Sequence, residues 1–224
     1  MLARRSLSFL LVAAMALPGY GNPVAIGVVQ GSTDSQVRGV NLVSGTALYS
    51  GDVVEVGSGG STQISFGGSS ELVLLQNSRA QVTQTTPKSP VQIEMENGFA
   101  KFRSSSSDPI VAMLGDGTIR AANGDAVGAI KITGTDSALI SAEQGSLVVT
   151  TADNAASTTV PEGMVLNVAL TSDSAAGTSA DSENSKRKKK LVAGLLIVAA
   201  AAGIAAALAL NEPTNEPSLS PFRP

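Results

Sequence analysis

The chain has 224 residues, 15 Lys+Arg against 18 Asp+Glu for a formal net charge of −3, and no Cys, His or Trp. Without Cys there is no disulfide, thiolate metal ligand or Cys nucleophile. Without His the commonest general base and metal ligand are missing, so neither a Ser-His-Asp triad nor a zinc site of the usual kinds can be assembled. The charge is also uneven. Residues 22–185 carry seven basic and sixteen acidic side chains, a net of −9, which is a poor match for nucleic-acid phosphates.

Taken in order, Met1–Gly21 reads as an export signal. Arg4 and Arg5 make the positive n-region, and Leu7–Leu17 is an apolar run too short to span a bilayer comfortably. Pro18 ends it, and Gly19 and Gly21 place small residues before a cleavage site after Gly21, with Ala14-Met15-Ala16 as a second candidate. The alternative is an uncleaved membrane anchor.

Residues 22–170 carry the signals of a β domain. Val24, Ile26 and Val28 alternate with smaller residues. Val53–Val56, Gln63–Phe66, Leu72–Leu75, Val91–Glu96, Ile130–Ile132, Leu147–Val149 and Val165–Val168 are apolar or β-branched runs separated by Gly, Asn, Asp and Ser. No helical period runs through this part, so the fold expected is all-β: a sandwich, a barrel or a short solenoid.

Asn97-Gly98 predicts a two-residue type I′ hairpin, because both residues tolerate positive φ. That register pairs Glu96 with Phe99, Met95 with Ala100, Glu94 with Lys101 and Ile93 with Phe102. Val91, Ile93, Met95, Ala100 and Phe102 then share the inward face, and Phe99 falls on the polar one. Asn123-Gly124 is a second candidate turn with weaker flanks. Ser104–Asp108 is a polar connector.

Residues 171–190 form a flexible linker that ends in a basic cluster, Lys186, Arg187, Lys188, Lys189 and Lys190. Leu191–Leu210 follows, twenty residues without a charge or a Pro. At 1.5 Å per residue a helix of this length spans about 30 Å, the thickness of a bilayer's hydrocarbon core. It is therefore expected to be a transmembrane α-helix. The alternative is a buried Ala-rich core helix, although core helices are usually shorter and polar on one side. Residues 211–224 hold four Pro and read as a disordered tail.

The middle of the chain resembles the FecR domain, the periplasmic portion of ferric-citrate-type anti-sigma regulators. The resemblance rests on Leu48-Tyr49-Ser50-Gly51-Asp52-Val53-Val54 for the family's "L-x-x-G-D-x-V" and on the segments Thr62–Phe66 and Ser70–Leu74 that follow. It rests further on Ile93–Phe102, Ser141–Val149 and Val160-Pro161-Glu162-Gly163, all in family order, and covers about Pro23–Leu170. It implies an all-β, sandwich-like or short solenoid-like domain without enzymatic activity. Gly51-Asp52 is first of all a tight turn, in which Gly supplies the unusual φ and Asp bonds a nearby backbone N–H. Its other reading is a ligand or partner loop.

The regulators that the domain resembles place a cytoplasmic sigma-binding segment first, then a membrane helix, then the FecR domain. In this sequence an export signal stands first and the apolar run follows the domain. The sigma-regulating activity therefore does not carry over. What carries over is an exported, non-enzymatic β domain that meets other envelope proteins; the export signal and Leu191–Leu210 together place it in the periplasm, anchored in the inner membrane.

This orientation puts Lys186–Lys190 outside the cytoplasm, against the positive-inside tendency. There the cluster is placed to hold anionic head groups, or serves as a solubilising flank. The partners expected are membrane lipid through Leu191–Leu210 and a further envelope protein, with no cofactor, no metal and no nucleic acid. The function expected is protein–protein interaction in signalling. The alternative is a structural, self-associating envelope protein.

Overall fold

The computed structural model describes residues 24–151, 156–172 and 189–198. The export signal at Met1–Gly21, most of the linker and the tail lie outside the described residues. Strand patterning begins with β1 (Ala25–Val37), β2 (Val40–Asn41), β3 (Ala47–Tyr49) and β4 (Asp52–Phe66). It continues with β5 (Ser70–Leu74), β6 (Arg79–Thr83), β7 (Val91–Asn97), β8 (Phe99–Ser104), β9 (Ile110–Leu114) and β10 (Gly117–Ala121). The later strands are β11 (Ala126–Ile132), β12 (Ser137–Gln144), β13 (Leu147–Thr150), β14 (Ser157–Val160), β15 (Val165–Ser172) and β16 (Lys189–Val198). No helix among the described residues is long and apolar enough to cross a membrane.

All strands belong to one sheet, whose main path runs β14-β13-β10-β9-β7-β6-β4-β5-β8-β11-β12-β15-β16. Neighbours are antiparallel except β7 and β9, which run parallel because a whole strand, β8, intervenes between them in the chain. The sheet folds on itself at β4, a single long strand where the sequence suggested two short ones. The first part of β4 pairs with β6 and the last part with β5, on either side of the run Gly57-Ser58-Gly59-Gly60. The sheet closes almost fully into a flattened barrel, with β1 lying along β4.

Most later strands come in pairs of consecutive segments that change face at a corner. β10 pairs with β13 while β11 pairs with β12, and β14 and β15 divide in the same way. The core lies between the faces. Phe66, Phe102, Leu48, Ile64, Ile93, Ile130 and Ile140 are among its fully buried side chains, each contributing about 1.5–3 kcal/mol through loss of apolar surface to water.

The hairpin expected at Asn97-Gly98 does not form. β7 pairs with β6 and β9, and β8 pairs with β5 and β11. Gly98 has φ +90, but Asn97 is still extended and is not among the residues with positive φ, as a type I′ turn requires. The corner is held from outside. Asn97 Nδ2 donates to Asn77 O at 2.9 Å, and Phe99 N donates to Ser78 Oγ at 2.9 Å. The preceding corner thus pulls the two strands onto opposite faces.

The inward set, Val91, Ile93, Met95, Ala100 and Phe102, is buried as expected, because pleat alternation does not depend on which strand lies alongside. Lys101 finds Glu143 at 2.6 Å in place of Glu94. Asn123-Gly124 is likewise a corner between β10 and β11, which do not pair with each other. A two-residue hairpin does join β9 and β10, at Gly115-Asp116.

The described part of the run expected to be helical is strand. Residues 189–198 pair with β15, and residues 199–210 lie outside the described residues. The edge of β15 offers N–H and C=O groups, and the backbone of residues 189–198 pairs with them.

Candidate functional site

The Gly51-Asp52 turn is built by its neighbours. Leu48 is fully buried and fixes β3 against the core, so that Tyr49 and Ser50 enter the turn from a rigid element. Gly51 has φ +92, and its N–H donates to Val82 O at 2.8 Å. Asp52 is buried, and its Oδ2 accepts from Tyr49 N at 2.8 Å.

The other carboxylate oxygen, Oδ1, lies 2.5 Å from Arg38 Nη2 without a donor N–H aligned on it, so the contact is coulombic rather than a directed hydrogen bond. Arg38 is largely exposed and occupies the tip between β1 and β2. Ser50 Oγ and Gln84 close the turn from the β6 side through two hydrogen bonds of 3.0–3.1 Å. Apart from Asp52 Oδ1, which has only the charge of Arg38 beside it, the polar groups of the turn named here are hydrogen-bonded within the fold. The carboxylate caps an otherwise free N–H on the β3 edge, which is a register-setting role.

A cleft of about 210 Å³ opens between the start of β1, the β4–β5 turn and the loops that precede β7 and β9. Ile26, Phe66 and Val91 contribute apolar lining, and Lys88, Ser107 and Asp108 contribute polar groups. The Ser104–Asp108 connector proves to be an ordered corner. Ser69 Oγ and Ser107 Oγ donate to Asp108 Oδ2 at 3.1 and 3.3 Å, Ser70 Oγ donates to Asp108 O, and Ser106 N donates to Asp125 Oδ1 at 2.8 Å.

Ser104 Oγ accepts from Ile110 N at 3.0 Å, which fixes the start of β9. A run of Ser ending in Asp was the available signal, since these side chains bond nearby backbone readily. Among the described residues, none of these hydroxyls is bonded to a Lys amine. No group of three or more His, Cys, Asp or Glu that could hold a metal occurs among the described residues.

Of the basic cluster, Lys186, Arg187 and Lys188 lie outside the described residues, and Lys189 and Lys190 begin β16. Among the described residues, Lys189 and Lys190 stand opposite Ser172 and Thr171 of β15. Among the described residues, the exposed large apolar side chains, Val24, Val28, Val40 and Val43, belong to the segment before β4. Polar residues fill the outward positions of the later strands, such as Gln92, Glu94, Lys101 and Arg103.

A model of the FecR protein family matches residues 52–166, from the first residue of β4 into β15. No curated protein sequence matches the chain. Two crystal structures of a candidate anti-sigma factor from Parabacteroides distasonis ATCC 8503 are similar to it, at 12% and 13% identity with TM-scores of 0.44 and 0.43. Each match covers 63% of this chain and 59% of the other, so the chain spans about three fifths of the length of those structures.

Proposed function

The chain belongs to the FecR protein family, and from that premise we propose that it is a non-enzymatic regulator of the cell envelope. Its β domain is exported to the periplasm and binds another envelope protein in a signalling step. Residues 191–210 cross the inner membrane as a helix and tether the domain there. The family match over residues 52–166 is the observation that carries this reading.

The tether is supported by the sequence. The run is long enough to span about 30 Å as a helix, and inside hydrocarbon a lone segment must satisfy its backbone internally, which a helix does and an edge strand does not. Lys186–Lys190 stands immediately before the run, where each residue near an anionic surface contributes about 1 kcal/mol.

The test has two parts. Full-length chain in isolated membranes is extracted with alkali, and its retention in the membrane pellet is expected. The same chain, cross-linked in intact cells and purified under denaturing conditions, is expected to bring down one envelope protein reproducibly. Release by alkali refutes the tether. Cross-links only to further copies of the chain refute the regulator and favour a self-associating structural protein.

A further inference from the structure

We propose that Asn123-Gly124 is a self-modification site. The Gly124 backbone nitrogen attacks the Asn123 side-chain amide, and residue 123 becomes aspartate or isoaspartate. The same dipeptide at Asn97-Gly98 is kept intact by its corner.

The two pairs are alike in sequence and in exposure. Each puts Gly after Asn, so no side chain hinders the approach of the Gly nitrogen. Asn97 and Asn123 are both exposed, and both glycines have positive φ, +90 at Gly98 and +64 at Gly124. The freedom of the backbone is what differs.

Asn97 ends β7 and stands opposite Arg79 of β6. Its Nδ2 donates to Asn77 O at 2.9 Å, which ties the side-chain amide to the neighbouring corner. Gly98 O accepts from Ile132 N at 2.9 Å, and a Cβ on Gly98 would overlap Ser78 Oγ and Cα. Bringing Gly98 N onto Asn97 Cγ requires rotation about the Asn97 Cα–C bond. That rotation swings the Gly98 peptide within a filled space and breaks its hydrogen bond, so the reaction must wait for local opening.

Asn123 and Gly124 form a bend between β10 and β11, which do not pair with each other. The hydrogen bonds of this corner fall on either side of the pair. Ala122 N donates to Ser146 O at 2.8 Å, and Asp125 Oδ1 accepts from Ser106 N at 2.8 Å. Among the described residues, neither Asn123 Nδ2 nor the Gly124 N–H has a hydrogen-bond partner. A Cβ on Gly124 would meet nothing within 4 Å, so its peptide has room to turn. The reacting atoms can reach a near-attack geometry without opening the fold.

The step needs only solvent. Gly124 N gives its proton to water and forms a bond to Asn123 Cγ; the Cγ–Nδ2 bond breaks, and Nδ2 leaves as ammonia with a proton from solvent. Water then opens the cyclic imide. Attack at Cγ restores the main chain and leaves aspartate. Attack at the main-chain carbonyl leaves isoaspartate, with the chain running through Cγ. Nothing is oxidised or reduced. The new carboxylate lies beside Asp125, which holds Ser106 N of the serine corner. β10 keeps its partners β9 and β13, and β11 keeps β8 and β12, so the corner takes up the added methylene while the strands stay paired.

Full-length chain is aged in mildly alkaline buffer, once folded and once in concentrated urea. Trypsin places Asn97 in residues 89–101 and Asn123 in residues 121–131, and electron-transfer fragmentation distinguishes aspartate from isoaspartate in each. In the folded chain Asn123 is expected to convert at least about tenfold faster than Asn97, because only its backbone reaches the attack geometry freely. Both products are expected at residue 123, and the two rates are expected to converge in urea. Equal rates in the folded chain, faster conversion at Asn97, or an unconverted Asn123 overturns the proposal. Aspartate without isoaspartate overturns the attack by Gly124 N. Rates that stay apart in urea overturn the protective role of the Asn97-Gly98 corner.

Discussion

Gly51 and Gly98 have nearly the same backbone angle, φ +92 and +90, and differ in what surrounds them. A Cβ on Gly51 would meet nothing within 4 Å, whereas one on Gly98 would overlap Ser78 Oγ and Cα and come to 2.6 Å from Asn77 O. Gly51→Ala therefore isolates backbone strain, about 1–2 kcal/mol for an L-residue held at positive φ.

Gly98→Ala carries the same strain and adds a forced shift against backbone, about 1–3 kcal/mol by analogy with overpacking. It also disturbs Ser78 Oγ, which accepts from Phe99 N at 2.9 Å and donates to Phe99 O at 3.0 Å, worth about 1 kcal/mol more. The expected totals are about 1–2 kcal/mol at Gly51 and about 3–6 kcal/mol at Gly98. Urea unfolding of residues 22–185 followed by far-ultraviolet circular dichroism reads the difference. Gly98→Asn separates corner from hairpin, since a type I′ turn accepts Asn at that position. Equal costs for the two alanine variants, or a neutral Gly98→Asn, would refute the account of residues 97–99 as a packed corner.

Two further outcomes follow from the same geometry. Asp52→Ala is expected to cost about 1.5–3 kcal/mol, because it removes a charged acceptor from the Tyr49 N–H, while Arg38→Ala is expected to cost less than about 1 kcal/mol, since the guanidinium is solvent-screened. Thermal melts that rank the two equally would show that the ion pair, not the turn bond, is what matters. Phe102→Ala is expected to cost about 3–5 kcal/mol through a core cavity. Phe99→Ala, at a half-buried position, should cost well under half of that, and a comparable loss in chemical denaturation would count against the assignment of inward faces.

Much of this was legible in the chain itself. Val91, Ile93, Met95, Ala100 and Phe102 are assigned inward through the register of a hairpin that does not form, and all five are buried because the alternation within each strand holds without it. The runs at Leu147–Val149 and Val165–Val168 lie in β13 and β15. Other elements were not legible. β9 and β10 were not recognised, although Ile110–Leu114 is an apolar run and Gly115-Asp116 is a turn pair. β4 read as two strands because Gly57–Gly60 looks like a terminator, while in the barrel it is a bend within one strand. The order of the Ser104–Asp108 corner depends on Ser69, Ser70 and Asp125, which are remote in sequence, so no local pattern could show it.

Sequence by itself determined which side chains face inward and where the chain must turn. Both follow from the pleat and from residues with unusual φ, which are local properties. Tertiary structure alone decided which strands became neighbours, because at Asn97-Gly98 the corner is held by hydrogen bonds that Asn97 Nδ2 and Phe99 N donate to Asn77 O and Ser78 Oγ rather than by a turn between paired strands. The same holds for Lys189–Val198, whose apolar run fits the length of a helix in the sequence and which pairs as a strand with β15 in the structure.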